Sequence, residues 1–411
     1  MPIEKAPYIK YTEETSLVDY GTTNSEIPVF IAPTKVNVTT TSGGTTTTTY
    51  QDVPVDKDHI YLINSFKDAE NLFKQASATE DTELLKQLRQ YFTENSYYFA
   101  DEFGTPYVYV IPVPTSTEGS GQDAVQHPTG QDFTDALELI TMKKEVQTIA
   151  IIGLSNIASI KTELATYLSF EAQDGFLRIA YIQAPAINNN EKIVDPDAQS
   201  DYATRIATLN EAINNPRICL VEPEFFGYHI AKICNTPYYL EAGYLPYYSV
   251  DIGVFKELTK EERDALCMAG LIFGEDDYTL SEVVPRMCLG VSSAFGKLSK
   301  ADYGKRTVDA LLHPRRNVDH QVREIYKIIA PQLKRNETSV TLRYVQDEVM
   351  SYLDTELSRG TIMQYEFSVE ESSYNPYCLL VKGKIVPVNS TLAIEFKNTI
   401  GTPYAVASDY V

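Results

Sequence analysis

Between residues 133 and 221 the chain switches repeatedly between two hydrophobic periods, and this constrains its fold more than any other feature. Apolar residues recur at helical spacing in 133–142, 160–170 and 203–212. Short apolar, β-branched runs lie at 149–152, 176–182 and 218–221. A strand covered on both faces is apolar along its whole length, and helices alternating with such strands are crossover connections. The order predicts a largely parallel sheet clothed by helices. Upstream, residues 27–31 (IPVFI) and 107–113 (YVYVIPV) have the same buried-strand character. Between them Ser65, with Asp68 at the third helical position, opens one helix. Residues 81–95 predict a second, with Leu84, Leu85, Leu88 and Phe92 on one face. Residues 36–49 are two Thr-rich runs around Ser42-Gly43-Gly44, a hairpin signal. Residues 114–131 are rich in Ser, Thr, Gly and Pro and mark a loop or boundary. Thr259 and Glu262 form a capping-box pair before a helix that Gly270 ends.

The C-terminal part has a different grammar. Two amphipathic helices are predicted over 318–333 and 340–357, the second stopped by Gly360. Strand signals follow. Residues 378–385 are apolar and β-branched, and Leu392, Ile394 and Phe396 alternate with Ala393, Glu395 and Lys397. Near the other end, Tyr8, Ile9 and Tyr11 suit a strand in a segment where Pro2 and Pro7 resist helix. A terminal strand with one apolar face must pair with something. If it reaches outward, the partner is another chain, joined through main-chain hydrogen bonds at an open sheet edge. The expected fold class is therefore α/β: central mixed sheet domains with flanking helices, plus extended N- and C-terminal β-strand arms.

Charge narrows the partners. The net charge of −21 repels phosphate, which argues against nucleic acid and anionic membranes. Tyrosine is abundant and tryptophan absent (29 against 0), which suits either a β-rich core or an interface. The cysteines, Cys219, Cys234, Cys267, Cys288 and Cys378, are odd in number and form no CxxC pair. Free thiols from a reducing cytosol are expected. The first residues lack the apolar core of a signal peptide, and no apolar run reaches membrane-spanning length. A soluble product made inside a cell is expected.

A search for catalytic chemistry finds weak signals only. Ser155, in GLSNI after a predicted strand, lacks the second glycine of a nucleophile elbow and suits a turn or N-cap. There is no phosphate-binding GxxxxGK[ST] loop and no HExxH. His313 and His320 lie seven apart across Pro314, a poor metal pair. Asp195, Asp197 and Asp201 resemble the start of a calcium loop, but Ser200 and Ile206 stand where Gly and Glu are needed. Glu275-Asp276-Asp277 is expected as an exposed turn. No catalytic residue, cofactor or metal site is expected. Residues 301–345 hold nine Lys/Arg against five Asp/Glu, inside an acidic chain. They read as a solvated helix face or as a basic patch for an acidic partner, centred on Arg315, Arg316, Arg323 and Lys327.

The order of these features resembles the contractile tail sheath proteins of phages and related contractile injection systems. The resemblance is carried by SEIPVFIAPT near the start, by the helix–helix–strand stretch from FKDAENLFKQ to YVYVIPV, and by FTDALELITMKKEVQTIAIIGLSN with FLRIAYIQAP. It continues through YHIAKI before AGYLP, LTKEERDALCMAGLIF, HPRRNVDHQVREI, TELSRG, YEFSVEESSYNP and VKGKIVPVNSTLAIEF. It spans nearly the whole chain, although each motif alone is degenerate. One departure is Arg335-Asn336-Glu337-Thr338, where the family often has an aromatic or Asn-rich turn.

The resemblance implies an N-terminal arm (1–24), an N-terminal α/β part (25–115), a central subtilisin-like domain without a protease triad (116–300), a C-terminal sheath domain (301–385) and a C-terminal arm (386–411). It implies a structural subunit, not an enzyme. Such subunits stack as six-fold rings around an inner tail tube, between a baseplate and a tail terminator, in a virion tail or contractile particle assembled in the host cytoplasm. Contraction would drive the tube through a cell envelope. The arms would exchange strands between subunits through Tyr8, Ile9, Tyr11, Val388, Leu392, Ile394 and Phe396, and the basic patch would face the tube. No nucleic acid and no membrane insertion are implied. The alternatives are a soluble α/β enzyme of unknown substrate and another self-assembling tube or shell protein.

Overall fold

The computed structural model describes residues 26–388 apart from 43–44, 53–54, 57–58, 75–80, 99–106, 114–115, 119–124, 128–129, 155–156, 158–159, 174–176, 189, 198–200, 216, 243–246, 248–257, 278–283, 289–311, 333–338 and 372–378. The strands expected around Tyr8 and Leu392 lie outside the described residues.

In chain order, β1 (Ile27–Pro33) leads into a hairpin of β2 (Lys35–Ser42) and β3 (Thr45–Asp52), where the Thr-rich runs placed it. Then come β4 (Tyr61–Ile63), α1 (Phe66–Phe73), α2 (Glu83–Tyr98) and β5 (Val108–Val113). A small ribbon of β6 (Ser116–Glu118) and β7 (Val125–His127) precedes α3 (Gly130–Ile140) and β8 (Val146–Ile151). Next are α4 (Lys161–Gln173), β9 (Ile179–Gln183), α5 (Tyr202–Ile213), β10 (Ile218–Val221), α6 (Phe226–Asn235), α7 (Lys260–Ala269), β11 (Leu271–Asp277) and β12 (Val284–Cys288). The last block is α8 (Leu312–Ile329), a 3₁₀ turn, α9 (Ser339–Arg359), β13 (Ile362–Glu371) and β14 (Leu379–Pro387).

Eight strands form one mixed sheet in the order β12-β11-β10-β9-β8-β1-β5-β4. The inner six are parallel, and β4 and β12 run antiparallel at the edges. The chain passes from β1 to β5, returns across β1 to β8, and continues outward, so the sheet is doubly wound. Strands from both sides of residue 115 therefore share this one sheet. Side chains alternate along β1. Val29 and Ile31 face a core built with Phe133, Leu137, Leu164 and Ile206 from α3, α4 and α5. Phe30 and Ala32 face a second core with Phe73, Leu84, Leu88, Phe226 and Ile230 from α1, α2 and α6. Burying both faces is what makes these strands continuously apolar in sequence.

The caps follow local chemistry. The Ser65 hydroxyl accepts from the Asp68 amide. Thr259 and Glu262 form the full capping box, and α7 ends at Gly270 with φ +82°. Three features depart from the sequence expectation. α8 starts at Leu312, not near 318, because Pro314 falls in its first turn, where no intrahelical donor is required. α6, not expected as a helix, is buried at every position but Tyr228, its polar stripe of His229, Lys232 and Asn235 included. Glu275 lies in β11, not in an exposed turn, and is buried against Arg263.

The C-terminal block builds its own small core. Val345, Val349 and Leu353 of α9 pack on Ile362 and Val369 of β13, with Ile325, Ile328 and Ile329 of α8 alongside. Full burial of side chains such as Val349 and Leu353 contributes about 1.5–3 kcal/mol each.

Candidate assembly interface

β13 and β14 pair in antiparallel register, with Tyr365 opposite Ile385, Phe367 opposite Gly383 and Val369 opposite Val381. These residues face the helices. The other face carries Glu366, Glu370, Lys382 and Lys384, which pair as Lys384–Glu366 at 3.4 Å and Lys382–Glu370 at 2.7 Å. All four side chains are more than half exposed, so the pairs add little stability and mainly balance charge. A two-stranded ribbon is marginal alone; here α8 and α9 supply its apolar support. Among the described residues the ribbon has two strands, so the outer edges of both carry no ladder partner. Such edges offer free N–H and C=O groups to an added strand. The predicted strand at 378–385 is β14, and it ends beside Val388, whose amide donates to the Thr361 carbonyl at 3.4 Å.

α8 joins this unit to the main sheet. One stripe faces the sheet body. The Arg316 guanidinium pairs with Glu26 at 3.0 Å and donates to the Ile233 and Thr236 carbonyls at 2.8 and 2.7 Å. Asp319 pairs with Arg217, just before β10. Arg323 donates to the Leu177 carbonyl at 2.9 Å. Burial alone would raise the Glu26 pKa. The Arg316 and Arg323 charges, with hydrogen bonds from Thr148 and Arg316, outweigh it and hold the carboxyl below its ordinary range.

A second stripe, at i, i+4 and i+8, faces the hairpin unit. His313 Nε2 lies 3.1 Å from the Val388 carbonyl, and Asn317 donates to the Thr361 carbonyl at 2.7 Å. Gln321 donates to Glu356 at 3.1 Å and accepts from Tyr352 at 2.6 Å.

The four basic residues expected on one surface separate by burial. Arg316 is only 1% exposed and belongs to the interior, because its partner Glu26 lies 290 residues away at the start of β1. Arg315 is half-buried beside Asp319, and Arg323 is half-buried against Leu177, just before β9. Lys327 is exposed and pairs with Glu324. Tyr8, Ile9, Tyr11, Leu392, Ile394, Phe396 and Ser155 lie outside the described residues. Sequence reasoning did not find Glu26, Asn317 or Gln321; the polar stripe at 313, 317 and 321 was the available signal.

The weak chemical signals resolve into structural roles. His320 stacks on Tyr238, ring centres 3.6 Å apart, and burial with the nearby Arg323 and Lys327 charges pushes its pKa down to about 3. Asp201 caps α5 and accepts from the Asp195 amide. No group of metal-ligating side chains occurs among the described residues. Among them, too, no helix is long and apolar enough to cross a membrane.

In doubly wound sheets ligands bind outside the carboxyl ends of the strands where the winding reverses, here between β1 and β8. Several protein groups meet near that place. Gly153 has φ +68°, and a Cβ there would stand 2.8 Å from Pro33. The Gly153 amide donates to the Gln183 side chain, which itself donates to Glu83 and to the Pro223 carbonyl.

Fold and interface together define a doubly wound α/β body bearing an open-edged hairpin, an architecture shared with proteins of contractile injection systems. A chain of the anti-feeding prophage baseplate matches with a TM-score of 0.58 at 14% identity, over 96% of this chain and 100% of that one. A chain of the anti-feeding prophage helical sheath, in the contracted state, matches at 0.56 and 14%, over 97% and 99%. A chain of the PVC sheath complex, an extracellular contractile injection system in the contracted state, matches at 0.61 and 13%, over 98% and 100%. The α/β body is thus the one the sequence resemblance implied; the terminal arms lie outside the described residues. No protein-family model and no curated protein matches the sequence.

Proposed function

We propose that the chain is a structural subunit of a contractile sheath, polymerising as stacked six-fold rings around an inner tube. The likeness in fold to chains of two contracted sheaths, over nearly the full length of each, carries this reading. Contraction drives the tube through a target envelope, and the baseplate, tube and terminator proteins are its partners in the particle. The terminal arms link neighbours by strand addition, through Tyr8, Ile9 and Tyr11 at one end and Leu392, Ile394 and Phe396 at the other; Val388, expected with them, has its amide and carbonyl bonded within the chain and stands at the root of that arm. The free edges of β13 and β14 are the acceptors such strands require. With Arg316 held inside, tube contact falls to Lys327, with Arg315 and Arg323 behind it. No catalysis is assigned.

Deleting residues 1–20 or 390–411 tests the reading. The full chain should form long hollow cylinders in negative-stain electron microscopy, alone or on co-expressed tube protein. Each deletion should abolish them and leave a monomer with unchanged circular dichroism. Cylinders that persist in both deletions would refute strand exchange, and a full chain that stays monomeric with tube protein present would refute the sheath assignment.

A further inference from the structure

Glu26 and Val388, the residues bordering the two proposed arms, both bond to one helix, α8. Glu26 directly follows residues 1–25. Its carboxylate is held by Arg316, and its amide donates to the Cys234 carbonyl at 2.8 Å. Val388 directly precedes residues 389–411. Its carbonyl lies 3.1 Å from His313 Nε2, and its amide donates to the Thr361 carbonyl. His313 and Arg316 are three residues apart, hence neighbours on α8 where its two stripes adjoin. Both are buried, at 5% and 1% exposure. Asn317, next in the chain, fixes the Thr361 carbonyl, which also accepts from Val388. The two roots thus share a backbone segment of α8, which holds each through its own side chains.

We propose that the N-terminal turns of α8 form a common clamp for both arm roots, so that loosening one root loosens the other. His313, Arg316 and Asn317 are its positioning residues. Tension on either arm then enters the body through α8 and is felt at the opposite arm, instead of peeling β14 from β13. This rests on the proposal that the arms bridge neighbouring subunits, which gives the clamp a load to carry. The coupling itself is a property of the single chain.

Hydrogen exchange on the unassembled full-length protein tests it, with the Glu26 and Val388 amides as reporters. The double variant Glu26→Gln/Arg316→Met removes both charges at near-constant volume, so no lone buried charge remains. We expect exchange at Val388 to quicken tenfold or more, while amides in the middle of α9 keep their protection. The reciprocal variant His313→Phe should quicken Glu26 similarly. If each variant loosens only its own root, the roots are independent and the proposal falls. If the double variant does not fold, His313→Phe alone decides. Polymer formation by the wild-type chain is scored separately, so failure of the sheath reading leaves the exchange result interpretable.

Discussion

Arg316→Met should be among the most damaging single changes in this protein. It deletes the cation beside Glu26 and two donors to the Ile233 and Thr236 carbonyls. Glu26 is 8% exposed and retains the Thr148 hydroxyl, but its carboxylate loses its near counter-charge. Removing one partner of a buried pair costs about 3–5 kcal/mol. At about 2–4 °C per kcal/mol for a domain of this size class, the melting temperature should fall by about 10 °C. The pH dependence gives the sharper check. In the wild type the folded Glu26 pKa lies below the unfolded one. Its stabilising contribution is complete above the ordinary carboxylate value of 4.5 and is lost as pH falls through the lowered value. In Arg316→Met burial dominates and the folded pKa rises above the unfolded one. The penalty is then full at neutral pH and relieved as pH falls through the raised value. Thermal unfolding followed by circular dichroism from pH 8 to pH 5 should show the gap between the two proteins narrowing. Glu26→Gln/Arg316→Met should recover much of the loss and show no such narrowing. A cost below about 1 kcal/mol, or a gap constant across pH, would refute the account of a buried pair.

Gly360→Ala should cost about 1–2 kcal/mol, since φ is +73° and nothing lies within 4 Å of the added methyl; Gly153→Ala should cost more, because its Cβ also meets Pro33. Urea midpoints that rank the two the other way would show the Pro33 contact to be yielding. Leu353→Ala should cost about 2–5 kcal/mol and speed exchange in β13 and β14 ahead of β8 and β9; uniform loss across both sheets would mean the C-terminal core is not a separate cooperative unit. Thr259→Ala should cost about 1 kcal/mol and Thr259→Ser almost nothing, by chemical denaturation.

What could be read in the sequence was whatever short-range chemistry decides. The cap at Ser65, the box at Thr259, the Thr-rich hairpin and the strand at 218–221 depend on residues within a few positions of one another. The placement of β1 between β5 and β8 does not. Its apolar run says that it is buried on both faces and nothing about its neighbours. α6 is different: His229, Lys232 and Asn235 form a polar stripe, but the fold buries that stripe along with the apolar one. Arg316 was misplaced for a related reason: charge in a sequence reads as surface unless the counter-charge is visible, and Glu26 lies at the far end of the chain. The stripe of His313, Asn317 and Gln321 was visible as spacing, but spacing does not say whether polar side chains meet water or carbonyl groups.

The edges of the two sheets differ in a way that bears on growth. The large sheet ends at β4, three residues long, and at β12, which carries Pro285. Short strands and prolines at an edge discourage further pairing. The hairpin strands run for ten and nine residues, with proline only at the last position of β14. Among the described residues the large sheet is therefore sealed at both edges, while the long β13–β14 ribbon is left open. Copies of this protein crowded together would find the large sheet closed to a lengthening β-ladder and the β13–β14 ribbon ready for one.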